Sequence, residues 1–201
     1  MAVRGRRSAA SLPWNAINQK KRGTFITLFP WTKPLALSAV NERLLQMQIV
    51  CAKPEDADTL TEIAHAAKRH WGYPEGWIQN WRDILTIRPE FIAANVAYCA
   101  MEDARILGFY LLTNEGDGLH LDHLWIVPDA TGRGIGRALF QHALGQARRL
   151  NHRTVKIEAD PNAEGFYMRM GAQRIGETVT IIEEQRRELP LLQYDLENGA
   201  A

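Results

Sequence analysis

Residues 119–144 read LHLDHLWIVPDATGRGIGRALFQHAL, and this stretch combines a strand, a turn, a glycine-rich loop and a helix. Apolar residues occupy nearly every second place up to Val127, as in a strand with one buried face. Pro128 ends the strand, because proline cannot continue a ladder. Apolar residues then recur at helical spacing: Ile135, Leu139, Phe140, Ala143 and Leu144. This succession of elements predicts an α/β fold.

The glycine-rich loop, GRGIGR at residues 132–137, predicts an anion site. Glycine lets the backbone come close to a ligand, and several N–H groups then point into one concavity. At a helix start these donors are unsatisfied and lie at the positive end of the helix dipole, which suits phosphate. Arg133 and Arg137 add positive charge. The alternative is a plain strand-to-helix turn with two surface arginines.

Charge is distributed unevenly along the 201 residues, although the formal net charge is only +1. Residues 1–46 hold eight basic residues and one acid, whereas residues 47–201 hold 16 basic and 22 acidic residues. The second part is therefore mildly acidic, which disfavours a nucleic-acid-binding surface and predicts a soluble, cytoplasmic domain. No stretch approaches the roughly 18 apolar residues of a membrane helix, so no membrane partner is expected.

Residues 1–46 are basic, contain three prolines and lack sustained periodicity. We predict a disordered N-terminal arm, or an upstream extension with Met47 near the natural start of the domain. A targeting peptide and a nucleic-acid-binding arm are the alternatives, and both rest on the basic composition. Cys51 and Cys99 lie in apolar runs without metal-binding spacing, so we predict two buried free thiols in a reducing compartment.

The remaining chain, residues 47–201, alternates strands and helices as one domain. Strands are predicted at 47–53, 96–101, 106–113, 119–127, 154–160, 174–182 and 189–196, and helices from residue 54 and at 74–85, 135–150 and 163–170. Such an order predicts a mixed sheet rather than the strict alternation of a dinucleotide-binding fold. An acid about twenty residues after the glycine loop, which a dinucleotide site would need, is also missing.

Two blocks of sequence carry a resemblance to a known family. The first is HLWIVP at 123–128, which runs into GRGIGRAL at 132–139, and the second is Asn162 with FYMRMGA at 166–172. In this order they resemble the GNAT superfamily, whose members transfer an acyl group from acyl-coenzyme A. The resemblance covers about residues 47–196. It implies a mostly antiparallel sheet of six to seven strands, flanked by helices, with splayed central parallel strands.

The resemblance also implies acetyl-CoA as a co-substrate. Backbone groups of Trp125, Ile126 and Val127 would pair with its pantetheine arm. The N–H groups of Arg133, Gly134, Ile135, Gly136 and Arg137 would hold the pyrophosphate, and Asn162 would also contact the cofactor. No metal is expected, because the histidine pairs at 65/70 and 120/123 lack a third ligand at useful spacing.

Tyr167 matches the general acid of the family, since a phenol can give a proton to a departing thiolate. Its alternative role is packing beside Phe166. For the general base, Asp122 is the first choice, because it comes just before the strand segment that would bind the carbonyl. His120, His123 and Glu158 are further candidates, and each of the four has ordinary surface or cap contacts as its alternative role.

An acceptor pocket is expected around Trp71 and Tyr73, which lie in a break beside Gly72 and Pro74. The spacing of Trp77 and Trp81 predicts core residues instead. We therefore expect an N-acetyltransferase that acts on an amine of a small molecule or peptide. The alternatives are a non-catalytic acyl-CoA-binding module and a nucleotide-phosphate enzyme, although the loop lacks the Lys-Ser/Thr of a P-loop. A homodimer is compatible with this interpretation.

Overall fold

Seven strands form one sheet in the computed structural model, which describes residues 47–182 and 185–197. The strands are β1 (Gln48–Cys51), β2 (Val96–Glu102), β3 (Arg105–Glu115), β4 (Gly118–Ile126), β5 (Thr154–Glu158), β6 (Gln173–Ile182) and β7 (Gln185–Asp195). Their order in the sheet is β1-β2-β3-β4-β5-β7-β6. The predicted N-terminal arm, residues 1–46, lies outside the described residues.

The centre of the sheet contains its parallel pair of strands, β4 and β5, whereas the other neighbours are antiparallel. This pair is joined only at Leu119 with Val155 and at His120 with Lys156. The rest of β4 continues beside β3 without a partner on the β5 side. A gap therefore opens between the carboxyl ends of β4 and β5, as the predicted splayed strands require.

Within the described residues, six helices flank the sheet: α1 (Ala57–His70), α2 (Glu75–Asn80), α3 (Arg82–Leu85), α4 (Pro89–Ala94), α5 (Ile135–Arg149) and α6 (Pro161–Arg169). Short 3₁₀ turns cover Pro54–Asp56 and Pro128–Ala130. Both α1 and α5 pack against β3 and β4. Every residue of β3 from 107 to 113 is buried, so the centre of the sheet is covered on both faces. The predicted apolar face of α5 is entirely buried.

Three expectations about local structure were wrong. The helix predicted at 74–85 is divided at Trp81, whose backbone is not helical although its N–H still donates to the Trp77 carbonyl. The last hairpin is longer than expected, because β7 begins at Gln185 and so includes four residues before the strand predicted at 189–196. Cys51 is exposed because β1 lies at the sheet edge, whereas Cys99 is buried as predicted.

None of the helices in the described part of the chain is long and apolar enough to cross a membrane.

Candidate functional site

A cleft of about 440 Å³ opens where β4 and β5 separate, between the start of α5 and the α6 helix. The predicted site residues that line it are Trp71, Trp125, Ile126, Gly134, Ile135, Gly136, Arg137, Asn162 and Tyr167. Residues from both resemblance blocks therefore share one cavity, although about 25 residues of chain separate the blocks. Arg133, Val127, Tyr73 and Asp122 do not line it.

The glycine loop forms one end of this cleft. Gly132 and Gly134 have φ values of 82° and 85°, in the left-handed region that side chains disfavour. Gly134 is the N-cap of α5, and its carbonyl accepts from the Ala138 N–H at 3.1 Å. The N–H groups of residues 135–137 precede this bond and have no helical carbonyl to reach. Three donors at a positive helix end thus face the cleft, as an anion site requires.

The two loop arginines have different surroundings. Arg137 is exposed and lines the cleft. The Arg133 guanidinium forms an ion pair with Glu102, and the Arg133 backbone N–H donates to the Ala130 carbonyl at 3.4 Å. A second cation of the lining is Arg169 of α6, which lies within the second resemblance block but was not predicted as a site residue. Positive charge at the cleft therefore comes from Arg137 and Arg169 rather than from both loop arginines.

Along β4, the backbone groups that are free to bind a ligand follow from the pairing with β3. The Val127 N–H donates to the Leu107 carbonyl at 2.9 Å, and the Val127 carbonyl accepts from the Ala130 N–H at 3.0 Å. Because antiparallel pairing alternates, the backbone groups of Leu124 and Ile126 point away from β3, toward the gap. Both residues line the cleft, so its strand wall is formed by 124–126 rather than by 125–127.

Tyr167 lies in the cleft wall with only 5% of its surface exposed. Its ring packs against Phe166 and Phe140, with centroid separations of 5.1 and 5.5 Å. Burial raises the pKa of the Tyr167 phenol, and the negative charge of Asp160 raises this pKa further. The phenol therefore stays protonated throughout the physiological pH range, which is the state that a proton donor needs.

Asp122, the first choice for the base, occupies a β-bulge of β4. The bulge lies opposite Leu111 and Leu112, which pair with the residues on either side of Asp122. The Asp122 side chain is 41% exposed, and its Oδ2 lies 3.4 Å from the Nε2 of His123. The bulge therefore turns this carboxylate outward, and its role as a base stays a prediction.

Two other candidates for the base, His120 and Glu158, form hydrogen bonds outside the cleft. His120 lies 2.9 Å from Asp117, whose carboxylate also binds Lys156 at 2.5 Å. These hydrogen bonds, that of Lys156 first, lower the pKa of Asp117 to about 2. Glu158 is exposed and accepts a hydrogen bond from the Thr178 hydroxyl at 3.2 Å. Neither His120 nor Glu158 lines the cleft.

His123, the fourth candidate, is buried behind the cleft wall. Its Nδ1 accepts a hydrogen bond from the Trp125 indole N–H at 3.0 Å, which is possible only when Nδ1 carries no proton. Burial lowers the pKa of His123, and Asp122 partly opposes this effect. The neutral ring therefore supports Trp125, which does line the cleft.

The burial of His123 predicts acid sensitivity of the fold. Since its pKa in the folded protein is below the unfolded value of about 6.5, the unfolded chain binds the proton more readily. The stability that His123 contributes is complete above this value and is lost as the pH falls below it. We expect the Tm of the wild type to fall more steeply between about pH 7 and pH 5 than that of His123→Gln. If the Tm of both proteins changes equally with pH across this range, the assignment is contradicted.

The two predicted acceptor residues, Trp71 and Tyr73, line two different clefts. Trp71 lines the large cleft, where its ring centroid is 5.7 Å from that of Trp125. Tyr73 lines a second cleft of about 160 Å³ together with Trp77 and Trp81. Trp81 is 4% exposed, as its spacing predicted, but Trp77 is 41% exposed, so its assignment to the core was wrong. The α2 helix is short and lies at the surface, which leaves this ring uncovered.

The wall between the clefts contains a buried ion pair that sequence reasoning missed. Lys68 Nζ lies 2.5 Å from Asp160 Oδ2, and the two side chains are 1% and 5% exposed. The ammonium group is surrounded by four aromatic rings at 4.8–5.7 Å from their centroids: Trp71, Tyr73, Trp81 and Trp125. A lysine four residues after Ala64, on the buried face of α1, was the available signal.

Asp160 also organises the start of α6. Its carboxylate accepts from the backbone N–H of Asn162 at 2.9 Å and so caps the helix that carries Tyr167. The Tyr73 hydroxyl donates to the same carboxylate at 3.1 Å, and the Asn162 side-chain amide donates to the Tyr73 oxygen at 3.3 Å. Asn162 lines the large cleft and Tyr73 the second one, so a single hydrogen bond joins the two linings.

Comparison with known proteins gives relatives with the same type of domain. A family model described as an acetyltransferase (GNAT) domain matches residues 82–181. The chain is 34% identical over 111 residues to the peptidyl-lysine N-acetyltransferase YjaB of Escherichia coli, which covers 55% of this chain and 66% of that protein. It is 40% identical over 86 residues to the Salmonella typhimurium protein of the same name, covering 43% of this chain and 54% of that protein.

Solved structures share the fold at low sequence identity. A GCN5-related N-acetyltransferase from Rhodopseudomonas palustris aligns with a TM-score of 0.64 and 21% identity, over 74% of this chain and 94% of that one. The PaiA N-acetyltransferase from Thermoplasma acidophilum, solved with coenzyme A, aligns with a TM-score of 0.55 and 19% identity, over 74% and 98%. The family model and the curated relatives, together with the two motif blocks, show that the chain belongs to the GNAT superfamily of acetyltransferases.

Proposed function

We propose that the protein transfers an acetyl group from acetyl-CoA to an amine. The observation that carries the proposal is one cleft whose lining contains both the donors at the start of α5 and the Tyr167 phenol. A pyrophosphate is an anion that suits these donors and Arg137. The polar backbone groups of residues 124 and 126 suit an amide-containing arm, which would lie along β4 as an added strand.

The residues of the cleft provide distinct parts of the chemistry. Acetyl-CoA supplies the activated acyl group when it is bound. Tyr167 holds a proton at its phenolic oxygen and gives it to the departing sulfur. An amine must lose a proton to attack, and Asp122 is proposed to take it through water, because its carboxylate points outward from the bulge. The aromatic wall of Trp71 and Trp125 keeps water away from the reacting groups.

The acceptor is proposed to be an amine of a small molecule or a peptide. Two relatives are named peptidyl-lysine N-acetyltransferases, and a lysine side chain is an amine of this type. The alternative is a module of the same fold that binds an acyl-CoA without turnover. The two possibilities differ in whether a general base is needed, since only an enzyme must remove a proton from the amine.

Isothermal titration with coenzyme A, combined with thiol release from acetyl-CoA in the presence of lysine peptides, tests the proposal. Gly134→Ala is expected to weaken coenzyme A binding about tenfold, because a left-handed alanine costs roughly 1–2 kcal/mol: the free loop relaxes to another conformation, and binding must restore the left-handed one. Gly145→Ala is the matched control: it lies inside α5 with open space around it, and binding should stay unchanged. Binding of ATP without binding of coenzyme A would overturn the proposal, and binding without thiol release would favour the module.

A further inference from the structure

The second cleft carries a cation with no acid at ion-pair distance among residues 47–182 and 185–197. This cation is Arg187 of β7, which is half-buried and lines the cleft beside Tyr73, Trp77 and Trp81. Its guanidinium carbon lies 5.0 Å from the centre of the Trp81 ring. Stacking on an aromatic face leaves the N–H groups in the guanidinium plane available to an acceptor.

Among the residues that the structure describes, the acids that act on or adjoin Arg187 are already bound to other groups. Asp160 accepts hydrogen bonds from Lys68, Tyr73 and Asn162, which occupy its oxygens. Glu158 accepts from Thr178, and Glu188 binds the neighbouring Arg186 at 2.6 Å. Of these carboxylates, Asp160 and Glu158 act on Arg187 at longer range and raise its pKa.

Burial dominates over these distant acids, because the pKa of Arg187 is lowered overall, with desolvation as the largest cause. A half-buried cation without a contacting anion is costly, and a carboxylate that entered the cleft would relieve this cost. The planar guanidinium can bind both oxygens of a carboxylate at once, which fixes the orientation of the bound molecule. The aromatic rings of Trp77 and Tyr73 provide an apolar surface for the rest of the ligand.

The position of the second cleft relates it to the first. Pro161 lines the second cleft and Asn162, the next residue, lines the large one. The hydrogen bond from the Asn162 amide to the Tyr73 oxygen completes this shared wall. A molecule held in the second cleft would therefore lie beside the proposed acetyl donor, on the opposite side of the start of α6.

We propose that the second cleft binds the acetyl acceptor through a carboxylate of that acceptor, which Arg187 holds with two hydrogen bonds. The inference rests on the proposed function and adds the class of substrate: an amine that carries a carboxylate nearby. This carboxylate belongs either to a free amino acid or to an acidic residue beside a peptide lysine. Both sources present the same group to Arg187, and matched acceptors distinguish them.

Steady-state acetylation with two pairs of acceptors tests the inference. One pair is lysine and lysinamide, and the other is a blocked peptide with glutamate before its lysine and the same peptide with glutamine. In at least one pair, kcat/KM should be about tenfold or more higher for the carboxylate-bearing member, as a charge-assisted pair predicts. The pair that shows the difference identifies the source of the carboxylate.

Arg187→Gln should reduce this preference to within about twofold, through a higher KM for the carboxylate-bearing acceptor. Arg187→Lys retains the charge but not the two-pronged geometry, and should keep only part of the preference. Arg153→Gln is the control, because Arg153 is exposed, pairs with Glu197 and lines neither cleft, so the preference should stay intact. Melting temperatures of the three variants show whether each one is folded.

If all four acceptors are acetylated and the two members of each pair have nearly equal kcat/KM, the carboxylate site is overturned and the proposed function stands. A full preference in folded Arg187→Gln would also overturn it, as would a loss in Arg153→Gln equal to that in Arg187→Gln. If no acceptor in either pair is acetylated, the proposed function fails and the inference fails with it. These outcomes are distinct, because coenzyme A release is measured in the same reactions.

Discussion

Tyr167→Phe is expected to lower kcat about 100-fold while coenzyme A affinity stays nearly unchanged. The substitution removes one oxygen and keeps the ring that packs against Phe140 and Phe166. Binding in the cleft depends on the glycine loop and β4, so the equilibrium constant should change little. A raised pKa keeps the wild-type phenol protonated, so its loss should appear in the rate of the chemical step. Single-turnover acetylation and coenzyme A titration of the same samples measure the two quantities.

Tyr110→Phe provides the matched control for this result. Tyr110 is also a buried tyrosine, but its hydroxyl bonds to the Nδ1 of His142 at 2.8 Å, and the residue does not line the cleft. Its substitution should leave kcat unchanged within about twofold, even if it lowers stability by the roughly 1 kcal/mol of a lost hydrogen bond. An unaltered rate in Tyr167→Phe would remove Tyr167 from the reaction and return it to a packing role.

Lys68→Met is expected to lower the free energy of unfolding by about 3–5 kcal/mol. The substitution leaves Asp160 buried without its cation, and it removes the ammonium that lies among four aromatic rings. For a domain of this size, about 3 kcal/mol corresponds to a decrease in Tm of roughly 6–12 °C. Chemical denaturation at neutral pH measures the free energy directly.

The double variant Lys68→Met/Asp160→Asn separates the loss of the charge from the loss of packing. Because both charges are removed, it should recover more than half of the stability that Lys68→Met loses. Asparagine also retains a side-chain oxygen that can cap α6. A loss below about 1 kcal/mol in Lys68→Met would show that the pair is not energetically important. Equal stability of the single and double variants would show that packing, not the unpaired carboxylate, causes the loss.

Local features of the fold were predictable because the chemistry of neighbouring residues determines them. The left-handed Gly134 and the unsatisfied donors after it follow from the GRGIGR sequence alone. The cap at Asp160 follows in the same way from an Asp-Pro pair at the end of a strand. The resemblance then allowed Tyr167 to be associated with the loop, and the structure brings both to one cleft.

Contacts between distant parts of the chain could not be predicted in this way. Lys68 and Asp160 are 92 positions apart, and their pairing depends on how α1 packs beside the end of β5. Arg187 lies before the strand that periodicity predicted at 189–196, whereas it belongs to β7 and lines the second cleft. The bulge that turns Asp122 outward is likewise a property of the β3–β4 register, which a single strand sequence does not encode.

The hydrogen bond between Asn162 and Tyr73 is a direct contact through which ligands in the two clefts would affect each other's affinity. A ligand that displaces Asn162 in the large cleft also moves an oxygen in the lining of the second one. Such coupling is reciprocal, so the factor by which one occupant changes the affinity of the other is the same in both directions. The start of α6 thus contributes to the linings of both clefts, and the same helix carries the Tyr167 phenol of the large one.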